Sequence, residues 1–555
     1  MPEHRPVISS ATRIGICTLT SRLTGLIRDM LLVHTFGAGW VLDSFFYGFQ
    51  VPNLFRRLFG EGALAAVFVP AFTHTLETEG RPSAWRLLAR TLALLTVAIV
   101  LVVLVIEAIV LVIWLMNPGD EARRLILGLT ALMLPFMLTI CLIALLSSIL
   151  NCVGSFVPAA IAPIILNLVM IAALAWFRPT IDPGRGIDDR ATQVFGVAAS
   201  VLVAGVLQIL FLLPVLRRYG VGLGWRFDLR DPRLKKMLAA AGPVVLGQGV
   251  LALGVFIDAQ ICTLLTHVQG DLETRSLFGL SFTYPLQEGA LSAITVAQRL
   301  YQFPLGVFGI SLAVAALPTF SRLATRKDWA GWTGEVGRSL RLAVFAGLLA
   351  GCMMILLAEP IVRLLFEYGE FGPGATTRAA RVLACYGFGM WAFCAHHIVL
   401  RGFYSVGDVR TPLRISCFLV PANVALSLVL VWSDVVREAA FGIATSTTSA
   451  LAVIVGTVLL QRRTLARLVD RPLLTAMGKM VLAALLAVIV VAALRPLWTA
   501  EPGPMALPLI VHRAIDALGS LALGSAVYLA SAWALRLSEV RLLLKHRRTV
   551  GNRGD

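Results

Sequence analysis

The 555-residue chain is short of charge. Asp, Glu, Lys and Arg make up 14% of it, against about 25% in an average soluble domain. With 58% hydrophobic residues, that shortage excludes an ordinary soluble globular protein. Disulfide and thiolate frameworks are missing too. Cys17, Cys141, Cys152, Cys262, Cys352, Cys385, Cys394 and Cys417 all lie in or beside apolar stretches, and no CxxC pair occurs. They read as small core hydrophobes. The sequence Cys394-Ala-His396-His397 does not read as a metal site, because adjacent histidines point to different sides of a helix. No metal is expected. Catalytic signatures are absent as well: no GxxxxGK[ST], no HExxH, and no GxSxG between a strand and a helix. No soluble segment is large enough to hydrolyse ATP. The expectation is a non-enzyme driven by an ion gradient, the membrane potential or another subunit. A cleavable signal is not expected. Met1–Ser10 is polar, and the first apolar stretch already holds Arg13, Arg22, Arg28 and Asp29.

Long apolar runs are what the chain does have. Thr91–Met116 carries one charge, Glu107; Leu473–Leu494 carries one, Lys479; Pro158–Phe177 and Ile415–Trp432 carry none. Each is long enough to cross a bilayer, which takes roughly 18–20 apolar residues. The chain reads as an all-α polytopic membrane protein with about fourteen transmembrane helices. The expected spans are Val7–Thr35, Val41–Leu76, Thr91–Met116, Leu125–Leu150, Pro158–Phe177, Thr192–Leu216 and Met237–Leu265. They continue with Ala290–Phe320, Leu340–Leu357, Ala379–Phe403, Ile415–Trp432, Ala439–Leu460, Leu473–Leu497 and Leu507–Leu535.

The net charge of +17 is a topology signal. Nucleic-acid binding would need those charges on a soluble face; here they fall in short loops. Arg81, Arg86 and Arg90, the stretch from Arg217 to Lys236, Arg322 to Lys327, Arg462 to Arg471, and the tail from Arg541 occupy alternate loops. The opposite loops are mixed or acidic, as at Asp182, Asp271, Glu367 and Asp434. The positive-inside rule then puts both termini in the cytoplasm.

An internal repeat is visible. Asn151-Cys-Val-Gly154, followed by Pro158 and Asn167, echoes Tyr404-Ser-Val-Gly407, followed by Pro412 and Asn423. Pro70-Ala-Phe72 echoes Pro318-Thr-Phe320. Two six-helix lobes inserted the same way up are expected, a parallel repeat around a central site, plus two C-terminal helices. The boundaries are an N-lobe at 1–230, a C-lobe at 231–468, and helices thirteen and fourteen with a basic tail at 469–555.

Cations inside the spans point to the substrate. Span one carries Arg22, Arg28 and Asp29. On span two, Asp43, Gln50 and Arg57 are seven apart, and Asn53, Arg57 and Glu61 four apart, so they fall along one helix face. Such a stripe must face water or protein. Pro52, Gly60 and Gly62 are candidate bends in a span that would otherwise run roughly 50 Å. Span eight adds Arg299. Arg22, Arg28, Asp43, Asn53, Arg57 and Arg299 are the substrate-binding candidates, with Asp29, Arg56 and Glu61 secondary. Guanidinium groups grip phosphate oxygens in bidentate fashion, so an anion, above all a diphosphate, is expected. Against this, the arginines could snorkel or pair internally with Asp29, Asp43 or Glu61. Asp258, Asn423 and Thr445 are candidates to hold a coupling cation, Na⁺ or H⁺; each could equally bond between helices. Glu107 is assigned no role.

These residues also carry a family resemblance. Thr20-Ser-Arg-Leu-Thr-Gly-Leu-Ile-Arg-Asp29, Phe36-Gly-Ala-Gly39, Asp43-Ser-Phe-Phe46 and Val51-Pro-Asn-Leu-Phe-Arg-Arg-Leu-Phe-Gly-Glu-Gly-Ala63 closely resemble the MurJ (MviN) lipid II flippases. Arg299-Leu-Tyr-Gln-Phe-Pro304, Tyr368-Gly-Glu-Phe371 and Gly402-Phe-Tyr-Ser405 continue the match. It covers the first twelve spans. The resemblance implies the MOP exporter fold (MATE-like), a bacterial inner-membrane location, and movement of lipid II, an undecaprenyl-diphosphate glycopeptide, to the periplasmic leaflet by alternating access. It implies that Arg22, Arg28, Asp43, Arg57 and Arg299 line a central cavity, that the last two spans hold the lipid tail, and that membrane lipids and cell-wall synthesis proteins are partners. Three departures stand out. Gln298 and Gln302 replace acids that flank the span-eight arginine in many members. His267–Glu288 is a longer connection than usual. Ser427 stands where some members have an acid.

Other readings remain open. A flippase for another polyprenyl-diphosphate oligosaccharide fits the arginines equally well. A cation-coupled drug exporter of the same superfamily would need acids in the N-lobe cavity. A lipid-linked glycosyltransferase would need a large periplasmic domain or an acidic metal motif. A scaffold without transport is the remaining alternative.

Overall fold

The structure is a computed structural model that describes residues 7–540. Residues 59–63, 117–120, 178–186, 222–223, 227, 229–230, 269–273, 278–279, 465–466, 469–470 and 500–508 are outside the description. Glu61, the candidate bends Gly60 and Gly62, and the basic tail beyond residue 540 therefore lie outside the described residues.

The chain divides into two compact units, Met1–Ser292 and Ala293–Asp555. The first runs α1 (Val7–Phe36), α2 (Trp40–Phe55), α3 (Leu64–Glu79), α4 (Arg81–Met116), α5 (Glu121–Met133), α6 (Phe136–Cys152), α7 (Val157–Trp176), α8 (Ile187–Arg218) and α9 (Pro232–Leu264). Four short strands follow: β1 (Thr266–His267), β2 (Thr274–Leu277), β3 (Leu280–Thr283) and β4 (Leu286–Gln287). β2 and β3 form an antiparallel hairpin, and β1 pairs with β4 in parallel. The described part of the long connection seen in the sequence thus forms two short strand pairs. α9 packs on α2, α3 and α4.

Helix α10 (Ala290–Pro304) begins at the end of the first unit. The second unit continues with α11 (Ser311–Thr325), α12 (Trp329–Leu356), α13 (Ala358–Phe366), α14 (Pro373–Ser405), α15 (Arg410–Leu430) and α16 (Ala439–Thr464). It closes with α17 (Arg471–Leu494), α18 (Pro496–Thr499), α19 (Leu509–Ala514) and α20 (Ser520–Ala534). The last two spans are not loose appendages. α17 and α20 pack on each other and on α12. The Tyr528 hydroxyl donates to the Phe345 carbonyl at 2.9 Å. The Arg513 guanidinium binds the Glu367 carboxylate at 2.8 Å.

Eleven helices among the described residues are long and apolar enough to cross a membrane. The expectation from sequence is about fourteen. The three spans that miss this measure are the first, second and seventh. The first carries the arginines, and the seventh, α9, meets it only over the shorter stretch Leu253–Leu264. In span two α2 ends at Phe55, the backbone widens to an i→i+5 turn over residues 56–58, and after the residues outside the description α3 begins at Leu64. Pro52 lies one turn before the widened turn, and a proline removes a helix donor and crowds the carbonyl four residues back.

The repeat survives in backbone detail. α10 passes after Pro304 into a π-helical turn, Leu305–Ile310, where the Ser311 N–H bonds the Gly306 carbonyl. In the register that aligns Pro70 with Pro318, Arg57 falls on Leu305, so both halves carry a widened turn at one place. The two Val-Gly blocks also fold alike. Gly154 and Gly407 adopt φ +81° and +75°, left-handed values that cost glycine nothing. Beyond them, Ser155 N–H bonds Leu150 O at 2.8 Å and Asp408 N–H bonds Phe403 O at 3.0 Å, the six-to-one closure of a Schellman cap.

Loop charges are paired across neighbouring helix ends. Arg90 meets Asp228 at 2.9 Å and also Asp231, and Arg233 meets Glu79 at 2.6 Å. In the second unit, Arg378 meets Glu438 at 2.7 Å. Every one of these pairs joins ends that an up-and-down passage places on the same side.

Candidate functional site

Arg22 lies near the midpoint of α1, about 21 Å from either end at 1.5 Å per residue. It is exposed, and it has no hydrogen bond or ion pair among the described residues. A cation at mid-helix in an apolar protein must reach water, a ligand or a headgroup.

Arg28 is placed differently. It is buried at 7% exposure. Its Nε and Nη2 donate to Asp29 Oδ1 at 3.0 and 2.6 Å, and its Nη1 donates to Asn167 Oδ1 at 3.0 Å. Asn167 in turn donates to the Ser21 carbonyl and the Thr24 hydroxyl at 3.0 and 3.1 Å. The arginine, the acid and the amide thus lock α7 onto α1. Internal pairing with Asp29, the alternative weighed for this arginine, is present in this structure. Asn167 is the residue that sequence reasoning passed over; its signal was its place in the repeat, opposite Asn423.

The described part of the span-two stripe is turned inward, since Asp43 is buried and Gln50, Asn53 and Arg57 are half-buried. Asp43 sits at the first turn of α2, and its carboxylate accepts from Gly289 N–H at 2.8 Å, Ser292 N–H at 2.7 Å and the Ser292 hydroxyl at 2.6 Å. These donors are the free N–H groups at the start of α10, where the helix dipole favours an anion. Next to it, the Tyr47 hydroxyl donates to Gln260 Oε1 at 2.5 Å, joining α2 to α9. Arg56 Nε donates to Asn53 Oδ1 at 2.9 Å. Arg56 and Arg57 both sit on the widened turn.

In the second unit Arg299 is half-buried on α10. Its neighbour Gln298 donates to the Tyr386 hydroxyl at 3.3 Å. Of the cation candidates, Asp258 is buried on α9. Asn423 and Thr445 are brought together: Asn423 Nδ2 donates to the Thr445 and Thr448 hydroxyls at 3.4 and 3.3 Å. Both hydroxyls donate back to their own helix, to Phe441 O and Ala444 O at 2.8 Å. The amide nitrogen faces these oxygens, so a cation there would require Asn423 to turn its oxygen toward it. Among the described residues no cluster of three or more His, Cys, Asp or Glu offers a metal site.

Two loop carboxylates are tuned by their surroundings. Burial alone would raise Asp408, but N–H donors from Thr411 and Arg410, the Thr411 hydroxyl and the charge of Arg463 hold it below the usual carboxylate range. Asp231 is likewise lowered against the pull of burial, by the Arg233 N–H and the charges of Arg233 and Arg90.

A family profile described as lipid II flippase MurJ matches residues 32–513. The probable lipid II flippase MurJ of Rhizobium meliloti (strain 1021) is 32% identical over 555 residues, covering 97% of this chain and 96% of its own. The probable lipid II flippase MurJ of Rhizobium tropici is 34% identical over 423 residues, 75% of this chain and 74% of its own. Among solved structures, a lipid II flippase MurJ in an inward closed conformation superposes with a TM-score of 0.72 at 20% identity, over 94% of this chain and 98% of that one. A multidrug resistance MATE family transporter of the MOP superfamily gives 0.64 at 18% identity, over 81% and 98%. At those identities the superpositions speak to fold alone, one shared with both of these transporters.

Proposed function

The chain belongs to the lipid II flippase MurJ family, and we propose on that premise that it carries lipid II, a polyprenyl-diphosphate glycopeptide, from the cytoplasmic to the periplasmic leaflet. It is a multi-pass membrane protein, not a catalyst. In this reading it works by alternating access in the bacterial inner membrane with both termini cytoplasmic. The candidates to bind the diphosphate are Arg22, Arg28 and Arg57, with Asp43 and Asn53, in the first unit, and Arg299 in the second. The observation that carries the reading is Arg22, an exposed guanidinium at mid-span without an ion partner among the described residues. A diphosphate supplies the charge and the oxygen geometry that such a group lacks. Arg28, held by Asp29 and Asn167, orients the wall beside it and reaches substrate when that lock opens.

Energy comes from a Na⁺ or H⁺ gradient or from the membrane potential. Asp258 in the first unit, and Asn423 with Thr445 in the second, are the oxygen-bearing candidates for the ion. Cell-wall synthesis proteins and membrane lipids are the partners this role requires.

The test is complementation of a flippase-depleted bacterium. Arg22→Ala, Arg28→Ala and Arg299→Ala each abolish growth while the protein still inserts. Normal growth with all three replaced would sink the anion site. Translocation of lipid II in proteoliposomes, beside another polyprenyl-diphosphate sugar, decides between this substrate and the related oligosaccharides.

A further inference from the structure

The lipid-facing side of α8 ends on a ledge of arginines and aromatic rings. Val203, Leu207, Leu210 and Pro214 are exposed and spaced four, three and four apart, so they form one stripe along the helix. The next place on that stripe is Arg217, with Arg218 beside it. Within this membrane-length helix, Arg190 and Arg217 lie about 40 Å apart, the thickness of a bilayer with its headgroups. Arg217 and Arg218 therefore emerge at headgroup level on the face that meets lipid.

The chain beyond them is held in place. Val221 N–H bonds the Leu216 carbonyl at 3.1 Å and Gly220 takes φ +70°, closing the helix with a left-handed turn. Val221 is buried. Gly224 runs against α4, where a Cβ would meet that of Ala89 at 3.5 Å. Farther on, Asp228 and Asp231 are bound by Arg90. The turn thus presents Tyr219 and Trp225 outward, 43% and 61% exposed, together with an exposed Arg226.

Charge on this ledge is unbalanced. Asp228 and Asp231 are the acids of the loop, and both are taken by Arg90. The side chains of Arg217, Arg218 and Arg226 have no hydrogen bond or ion pair among the described residues. A guanidinium at the end of a lipid-facing stripe meets lipid phosphate, to which its fork of donors is suited. Trp and Tyr rings settle at the same level. We infer that this ledge is a binding site for the headgroup of an anionic phospholipid. A zwitterionic headgroup brings its own ammonium and leaves the three cations uncompensated; an anionic one adds the negative charge they lack. An acidic protein segment would have to lie within the headgroup layer to reach Arg217, where anionic lipid already stands. The ledge needs only the bilayer, so its failure and that of the transport reading are separable.

The probe is phosphatidylglycerol brominated near the top of its acyl chains, set against equally brominated phosphatidylcholine in nanodiscs of the two lipids. Fluorescence of the full-length protein minus that of Trp225→Phe isolates the quenching of Trp225. Phosphatidylglycerol is expected to quench Trp225 as though enriched about fivefold over its share of the bilayer. The enrichment is expected to shrink for the wild-type protein in about 1 M salt, where charges are screened within about 3 Å. It is expected to vanish when Arg217→Gln, Arg218→Gln and Arg226→Gln are combined. Equal quenching by the two lipids in the wild type overturns the proposal. So does an enrichment that salt and the triple replacement both leave unchanged. Displacement of phosphatidylglycerol by a trace of polyprenyl diphosphate would assign the ledge to the transported lipid instead, and overturns it too.

Discussion

Asp43 and Ser292 lie 249 residues apart in sequence and share two hydrogen bonds through one oxygen, Asp43 Oδ1. Ser292 gives both its backbone N–H and its hydroxyl, and Gly289 N–H completes the set on Oδ2. An acid from the first turn of one span therefore caps the start of another. Buried donors left without that acceptor carry a desolvation cost of about 1–3 kcal/mol. Asp43→Ala should lower stability by that amount in detergent unfolding, and Ser292→Ala by only about 1 kcal/mol, because both N–H groups keep their acceptor. Equal midpoints for Asp43→Ala and wild type would show that water replaces the carboxylate at no cost.

Arg28 invites a double replacement. Removing the guanidinium takes the Arg28 ion pair from Asp29, which is 5% exposed, and breaking a buried pair from one side costs about 3–5 kcal/mol. Arg28→Ala should therefore both destabilise and inactivate. Adding Asp29→Asn should restore much of the unfolding midpoint. If transport returns as well, Arg28 serves structure alone; if it stays lost, the guanidinium is needed for substrate.

The α12–α14 seam tests close packing. A Cβ at Gly351 would come 2.5 Å from the Gly387 carbonyl oxygen, and one at Gly347 would come 2.6 Å from Trp391 Cα. Backbone cannot step aside cheaply, so Gly351→Ala should cost about 1–3 kcal/mol. Gly334→Ala on the same helix meets nothing within 4 Å and should be neutral or stabilising by up to about 1 kcal/mol. Thermal unfolding of the two variants separates packing from helix propensity.

Asp408 predicts an acid limb. Its folded pKa is depressed, so its contribution is fully present above the unfolded value of about 3.9 and is lost as pH falls through the lower folded value. The stability difference between wild type and Asp408→Asn should be constant from pH 7 to about 5 and shrink below about pH 4. A difference that grows on acidification would reverse the assigned sign.

Hydropathy is a local sum, which is why the helical membrane class could be read from residues alone. The blocks ending at Gly154 and Gly407 were legible as echoes of one another, and the structure gives both glycines the same left-handed cap. Arg22 was legible too, because a cation at mid-span is conspicuous wherever the helix packs. The fate of the other charges was not legible. Arg28 and Arg22 look alike in sequence, yet one is buried, paired with the adjacent Asp29 and hydrogen-bonded to an amide 139 residues away, and the other is exposed. Asp43 fits a polar stripe by its spacing, yet its carboxylate is taken up by the start of α10.

Sequence alone determined that this is a helical membrane protein built on a repeat, with arginines inside its spans, because each of those properties resides in a short window of residues. Tertiary structure alone decided which of those charges is spoken for. Even for the adjacent pair Arg28 and Asp29, burial depends on α7 arriving with Asn167, and the acceptance of Asp43 by Gly289 and Ser292 joins residues that no single window of sequence contains.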